Sequence, residues 1–289
     1  MPALIDLRRR IKSVRNTQQI TQAMKTVATA KFKKAQRTVL EGRPYWHFSP
    51  QLLAAVREAE AAGGHPLLER RSPKRLRVLV ITSDKGLAGA FNANLLEETR
   101  DFLKQKQEAG ASPRLSLLGK KAVLFFKRFD FPIDLKLSDK VQSISEGEVR
   151  ELAQDLMREF LLVGSDALFV AYNEFKSILA PEIRIVQLLP IEPPPGDSPA
   201  PGGRDWEPGV SSYLHTLLPR YVEDQVCHFV FESVAAEHAA RMMAMDNATN
   251  NAGELIEELT LVLNKIRQAS ITKELLEIMS AVEALAENR

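Results

Sequence analysis

The sequence predicts an α/β protein with long terminal helices: an antiparallel coiled coil of N- and C-terminal helices flanking a Rossmann-like α/β domain. Three observations predict it. From Arg220 to Leu285 the chain runs about 66 residues with no proline and one glycine, Gly253. Pro2 to Glu41 contains no glycine and no further proline. Between these stretches, short β-branched runs alternate with helical ones, the signature of a mostly parallel sheet. At ~1.5 Å per residue, the C-terminal stretch would make a helix of roughly 100 Å, against about 11–12 residues for an average globular helix. The chain therefore divides into an N-terminal coiled-coil helix (1–58), a central α/β domain (74–192), a Pro/Gly-rich loop (193–209) and a C-terminal coiled-coil helix (210–289). This is a rod carrying a globular body; the plainer alternative is a helical hairpin packed on a domain.

In the N-terminal helix a 3-4 spacing selects Leu4, Leu7, Ile11, Val14, Gln18, Thr21, Lys25, Ala28, Phe32, Ala35 and Val39. That is a coiled-coil seam whose middle is polar or small. The C-terminal stripe reads Ala235, Ala239, Met242, Ala248, Leu255, Leu259, Val262, Ile266, Ile271, Leu275, Ile278 and Val282. Alanine and methionine in its first half let two backbones approach closely. Helices this long need a partner along their length, because propensity alone does not hold them, and each terminal helix is the other's nearest candidate.

In the centre, Leu76–Thr82 is the first strand, followed by the turn Ser83–Ala90 and a helix from about Phe91 to Lys106. Leu115–Leu118 is a second strand, then a helix at Lys120–Arg128, a short apolar segment at Phe131–Leu137 and a helix at Glu146–Leu162. Ser165–Tyr172 and Ile183–Leu189 are two further strands. The turn Ser83–Ala90 could cradle phosphate through its N–H groups. It fits neither GxGxxG nor GxxxxGK[ST], so close strand–helix packing is the favoured reading. Asp84 and Lys85 have no companion carboxylate or histidine at a catalytic spacing, and no GxSxG elbow or CxxC occurs. The reading is of no catalytic residues, no cofactor and no metal site; five scattered histidines and the lone Cys227 offer no zinc spacing. A single cysteine also points to a reducing compartment. No run of about 18 uncharged apolar residues exists, and Arg8, Arg9 and Arg10 stand where a signal peptide would be apolar.

The net charge of +2 hides an asymmetry. Residues 1–40 hold ten basic side chains against one acid, Asp6, whereas twelve acids face six bases from Arg220 onward. Oppositely charged helices attract when packed antiparallel, leaving a positive face that either grips an acidic partner or is merely solvated. Two other classes remain open on residues alone: a basic-helix nucleic-acid or scaffold protein, and a nucleotide-binding enzyme centred on Ser83–Ala90. Aromatic residues are not interleaved with the early basic run, which argues against the first.

Four stretches resemble the γ-subunit family of bacterial-type F-type ATP synthases. They are Leu7–Lys25 (LRRRIKSVRNTQQITQAMK), Ile81–Asn92 (ITSDKGLAGAFN), Ala236–Thr249 (AEHAARMMAMDNAT) and Asn264–Leu275 (NKIRQASITKEL). The resemblance covers essentially the whole chain. It implies a non-catalytic rotor shaft whose terminal helices turn inside a hexamer of α and β subunits. The α/β body would meet the ε subunit and the membrane ring of c subunits, so the chain would be peripheral to the cytoplasmic face of the plasma membrane. By match, Met24, Lys25 and Arg241 would face the β lever segment, and Arg267, Gln268, Thr272 and Glu274 the β catch loops. Asp205, Trp206 and Glu207 would belong to the foot on the c ring. No nucleic-acid partner is implied. The chain departs from the family at Ala88, where cysteine is usual, and at Ala90, where glycine is usual. It also lacks the paired cysteines of the chloroplast form, and its Pro193–Pro201 stretch looks lineage-specific.

Overall fold

A computed structural model describes residues 2–60, 65–177, 181–192 and 210–287. The elements are α1 (Pro2–Glu60), a single 3-10 turn (Pro66–Leu68), β1 (Arg75–Ile81), α2 (Phe91–Glu108), β2 (Ser112–Leu118), α3 (Lys120–Phe126), β3 (Ile133–Leu137), α4 (Glu146–Leu161), β4 (Ala167–Glu174), β5 (Glu182–Leu189) and α5 (Val210–Glu287). The predicted loop at 193–209 lies outside the described residues. By contacts the chain forms a larger unit of residues 28–243 and a smaller one joining 1–27 to 244–289, the division falling inside α1 and α5.

The larger unit is built on a five-stranded sheet in the order β3-β2-β1-β4-β5. β1, β2, β3 and β4 pair in parallel, and β5 runs antiparallel beside β4. The direction of β5 follows from its connection: the few residues between Glu174 and Glu182 suffice for a hairpin but not for a parallel crossover. The apolar segment at 131–137 supplies the edge strand β3, half-exposed at every second residue.

Side-chain alternation along the strands divides the core in two. Val78 and Val80 of β1, Leu115 and Leu117 of β2, and Ala171 of β4 pack beneath α2 and α3. On the opposite face, Leu79, Ile81, Leu118, Val170 and Tyr172 pack beneath α4 and the first turns of α5. Pro219 lies inside α5, where proline normally breaks a helix at a cost of about 3 kcal/mol. Its neighbours Leu218 and Val222 are fully buried, and apolar burial at about 1.5–3 kcal/mol per large side chain outweighs the break. Cys227 is buried here too, and burial pushes its thiol up to about 12, which keeps it inert.

Two local devices hold the strand ends. The Asp84 carboxylate accepts N–H bonds from Lys120 (3.0 Å), Asp139 (2.9 Å) and Val141 (2.9 Å), tying the β1 turn to α3 and to the loop before α4. Gly119 has φ +105°, and a Cβ there would lie 2.3 Å from the Thr82 carbonyl oxygen, so β2 can meet β1 this closely only with glycine. α4 starts with a capping box between Ser145 and Glu148, which also draws the Glu148 carboxyl below its usual range.

Candidate functional site: the paired terminal helices

In the smaller unit every predicted seam position of α1 is shielded: Ile11 and Thr21 are buried, and Leu4, Leu7, Val14, Gln18 and Lys25 half-buried. On α5 the covered face includes the predicted Ala248, Leu255, Leu259 and Ile266, but its tightest row is Met245, Thr249, Ala252, Ile256, Leu259, Leu263 and Ile266. Val262 and Ile271 are 40% and 50% exposed, so the apolar stripe predicted through them is displaced by about one residue. Apolar residues occupy two adjacent rows of α5, and polarity alone does not choose between them.

Polar contacts thread the middle of the seam. The Thr21 and Thr249 hydroxyls lie 2.7 Å apart, Gln18 Nε2 donates to the Thr249 carbonyl at 3.5 Å, and Lys25 Nζ donates to Asp246 Oδ1 at 2.6 Å. Partners descend on α5 as they ascend on α1, so the pair is antiparallel. Gly253 leaves room for this: a Cβ there would sit 3.1 Å from Gln18 Nε2. Each such bond contributes about 1 kcal/mol net, and the Lys25–Asp246 pair, one-third exposed on both sides, no more than about 1 kcal/mol. The middle of the pair is thus specific in register but shallow in energy. Met24 is half-buried beside it.

α5 outruns α1, which begins at Pro2. Residues 271–280 are all exposed, among them Ile271, Leu275, Leu276, Ile278 and Met279. Arg267, Gln268 and Glu274 are exposed, as is Thr272, whose hydroxyl donates to the Gln268 carbonyl at 3.0 Å. Val282 lies beyond the described side chains, and Asp205, Trp206 and Glu207 lie outside the described residues.

Within the larger unit, α1 and α5 meet again. Phe32, Val39, Ala235, Ala236 and Ala239 form one cluster with Ala88, Phe91 and Phe175, and the Phe32 and Phe175 rings stand edge to face at 5.3 Å. Ala88 and Phe91 follow β1, and Phe175 follows β4. The strand order reverses between β1 and β4, and beyond their carboxyl ends lies the crevice where doubly wound sheets take ligands. Here that crevice is filled by the helices. The Ser83–Ala90 turn also presents carbonyls to a cation, the reverse of a phosphate cradle: Arg241 Nη2 donates to Lys85 O (3.3 Å) and Gly86 O (3.2 Å).

Arg241 is 7% exposed and also pairs with Glu237 Oε1 at 2.7 Å, so its guanidinium is engaged inside the unit. Asp84, the sequence's candidate acid, is committed to its three amides, while Lys85 is exposed. Glu237 is almost fully buried, and burial raises its pKa above the usual carboxylate range against the pull of Arg241. Burial, with Arg241 and Lys31 nearby, pushes His238 down to about 4. Sequence reasoning missed Glu237, His238, Asp246 and Thr249 as structural partners. The i, i+4 spacing of Glu237 and Arg241 was the one visible signal. Among the described residues, no group of three or more His, Cys, Asp or Glu side chains is placed to hold a metal.

A family model described as ATP synthase matches residues 3–285. The ATP synthase gamma chain of Pelotomaculum thermopropionicum is 41% identical over 286 residues, covering 99% of this chain and 100% of the relative. That of Anaeromyxobacter sp. is 42% identical over 290 residues, with the same coverage. Among solved structures, a chain of the Euglena gracilis mitochondrial ATP synthase (OSCP/F1/c-ring, rotational state 3) aligns with TM-score 0.68 at 20% identity, covering 98% of this chain and 95% of that one. One from the Tetrahymena thermophila mitochondrial ATP synthase central stalk and c-ring aligns with TM-score 0.63 at 23% identity, covering 79% and 99%. These last two likenesses show the fold; the sequence matches, running from end to end of the relatives, show that the chain belongs to the ATP synthase gamma chain family.

Proposed function

We propose that this chain is the central rotor shaft of a bacterial-type F-type ATP synthase. It couples ion flow through a membrane ring of c subunits to ATP synthesis or hydrolysis in a hexamer of α and β subunits. It carries out no bond chemistry itself; the filling of the sheet's ligand crevice by α1 and α5 supports this part of the reading. The observation that carries the proposal is the smaller unit's helix pair: antiparallel, joined through its middle by modest polar contacts, and continued by a stretch of α5 whose apolar side chains are exposed among the described residues. A shaft that turns against its bearing needs contacts of similar depth at several angles, because one deep apolar lock would favour a single angle.

In this assignment Met24, Lys25 and Arg241 meet the β lever, while Arg267, Gln268, Thr272 and Glu274 meet the β catch loops. Asp205, Trp206 and Glu207 belong to the foot on the c ring, and the α/β body meets the ε subunit. No helix among the described residues is long and apolar enough to cross a membrane. The chain is assigned to the cytoplasmic face of the plasma membrane, held there through the complex. The test is co-purification: the tagged chain should bring down a nucleotide-hydrolysing hexamer and c subunits, with hydrolysis lost when the chain is purified alone. Recovery of the chain without a hexamer, or hydrolysis by the isolated chain, would overturn the assignment.

A further inference from the structure

A cavity of about 320 Å³ opens in the larger unit between α1, the loop at 141–144 and α5. At about 30 Å³ per water it has room for roughly ten waters, or a small ion with part of its hydration shell. Its polar lining is Lys31, Lys34, Thr38, Gln142, Ser143 and His238, and Phe231 is among its apolar side chains. None of these residues has a part in the rotor assignment.

The charges favour an anion. Lys34 makes no ion pair among the described residues, and Lys31, with three N–H groups, donates to Gln142 Oε1 at 3.1 Å. Among the described residues the hydroxyls of Thr38 and Ser143 donate to backbone carbonyls at 3.4 and 3.3 Å, long bonds that a charged acceptor can displace. His238 is 4% exposed, and its Nδ1 has no hydrogen-bond partner among the described residues. A buried imidazole nitrogen without a partner is unfavourable unless something fills the site. Independently, Arg241 and Lys31 place a positive field on that ring, which helps to keep it neutral. The carboxylate bonded into this network, Glu237, gives Oε1 to Arg241 and Gln142, and its Oε2 is buried with no hydrogen-bond partner among the described residues.

We propose that this cavity binds a small phosphate-sized oxyanion, held by the Lys31 and Lys34 ammonium groups and the Thr38 and Ser143 hydroxyls, with the His238 imidazole at its floor. The anion would tie α1 to α5 and to the loop before α4 at a point where no ion pair among the described residues does so.

The test is calorimetric titration of the purified full chain, in a chloride buffer, with inorganic phosphate and separately with glycerol phosphate. The His238 ring resonances are followed by NMR in the same samples. Saturable one-to-one binding tighter than about 1 mM is expected, with the His238 signals shifting along the same isotherm. Lys34→Ala should weaken it about tenfold, and Lys31→Ala with Lys34→Ala should abolish it. Both lysines are exposed, so these variants should keep the wild-type melting temperature. Tighter binding of the ester would identify an organic phosphate as the natural source of the group; equal or weaker binding would identify the free ion. No saturation at millimolar phosphate, or equal affinity in the double variant, would overturn the proposal.

Discussion

Asp84 shows how one side chain can carry a joint. Its two oxygens receive three backbone amides from separate parts of the chain, and it is 9% exposed. Removing the carboxylate strands all three donors, so Asp84→Ala should cost about 3 kcal/mol or more; a shift in urea midpoint equivalent to under about 1 kcal/mol would show the joint is held otherwise. His238 makes a prediction in pH. Its folded pKa of about 4 lies below the ordinary 6.5, so between those values the unfolded chain binds the extra proton. Stability should therefore be lost as pH falls from about 6.5 to about 4, by up to about 3 kcal/mol. Glu237, shifted upward, works in the opposite sense. Comparing wild type with His238→Asn in phosphate-free buffer isolates the histidine: the variant's denaturation curve should lose less stability over that window. Parallel curves would remove His238 as the cause. Met24→Lys places a cation beside Lys25 at the half-buried seam edge. Because the position is only half-buried, it should impair coupled ATP synthesis more than assembly. Equal loss of both would indicate misfolding instead.

At the level of elements, the α1–α5 contact in the larger unit depends on small residues. Ala235, Ala236 and Ala239 are essentially fully buried against Phe32, Val39 and the ends of β1 and β4. Ala239→Leu should therefore overpack the crossing and destabilise the larger unit by about 1–3 kcal/mol in chemical denaturation. An unchanged midpoint would mean that the helices can separate at no cost. The seam of α1 was legible from spacing because one 3-4 row collects Leu4, Leu7, Ile11, Val14, Ala28, Phe32 and Val39, whereas the off-row Ile5, Ile20, Val27 and Leu40 are isolated and exposed. The seam of α5 was less so, since Leu255 and Ile256, or Val262 and Leu263, offer two adjacent rows, and the row used passes through polar Thr249. Strand positions could be read from β-branched runs, but the direction of β5 depends on a connection length whose meaning needs the pairing partner to be known. The Asp84 joint could not be read at all, because its acceptors serve amides at 120, 139 and 141 that only the folded sheet brings together. Arg241 was legible as important, yet its place among the Lys85 and Gly86 carbonyls required the turn's actual orientation.

For the molecule as a whole, the charge asymmetry and the missing breakers pointed to paired terminal helices, and the family match supplies a reason for their unequal reach. Between Arg267 and Ser280 the α5 side chains have little cover among the described residues: Arg267, Gln268 and the run 271–280 are exposed, and Leu275, Leu276, Ile278 and Met279 are 57–66% so. Exposed apolar side chains clustered along one helix end are the mark of a contact surface for partners. A chain truncated to end at Ile266 should thus lose little intrinsic stability, with a melting temperature within about 2 °C of the full chain, and the larger unit should keep its fold. In the assembled complex the same truncation should sharply reduce coupled ATP synthesis, through loss of either torque transfer or assembly. The two measurements separate the cases. A large fall in melting temperature would mean that the end of α5 supports the chain's own fold. Normal coupled synthesis by a complex lacking residues 267–289 would count against any specific role for Arg267, Gln268, Thr272 and Glu274.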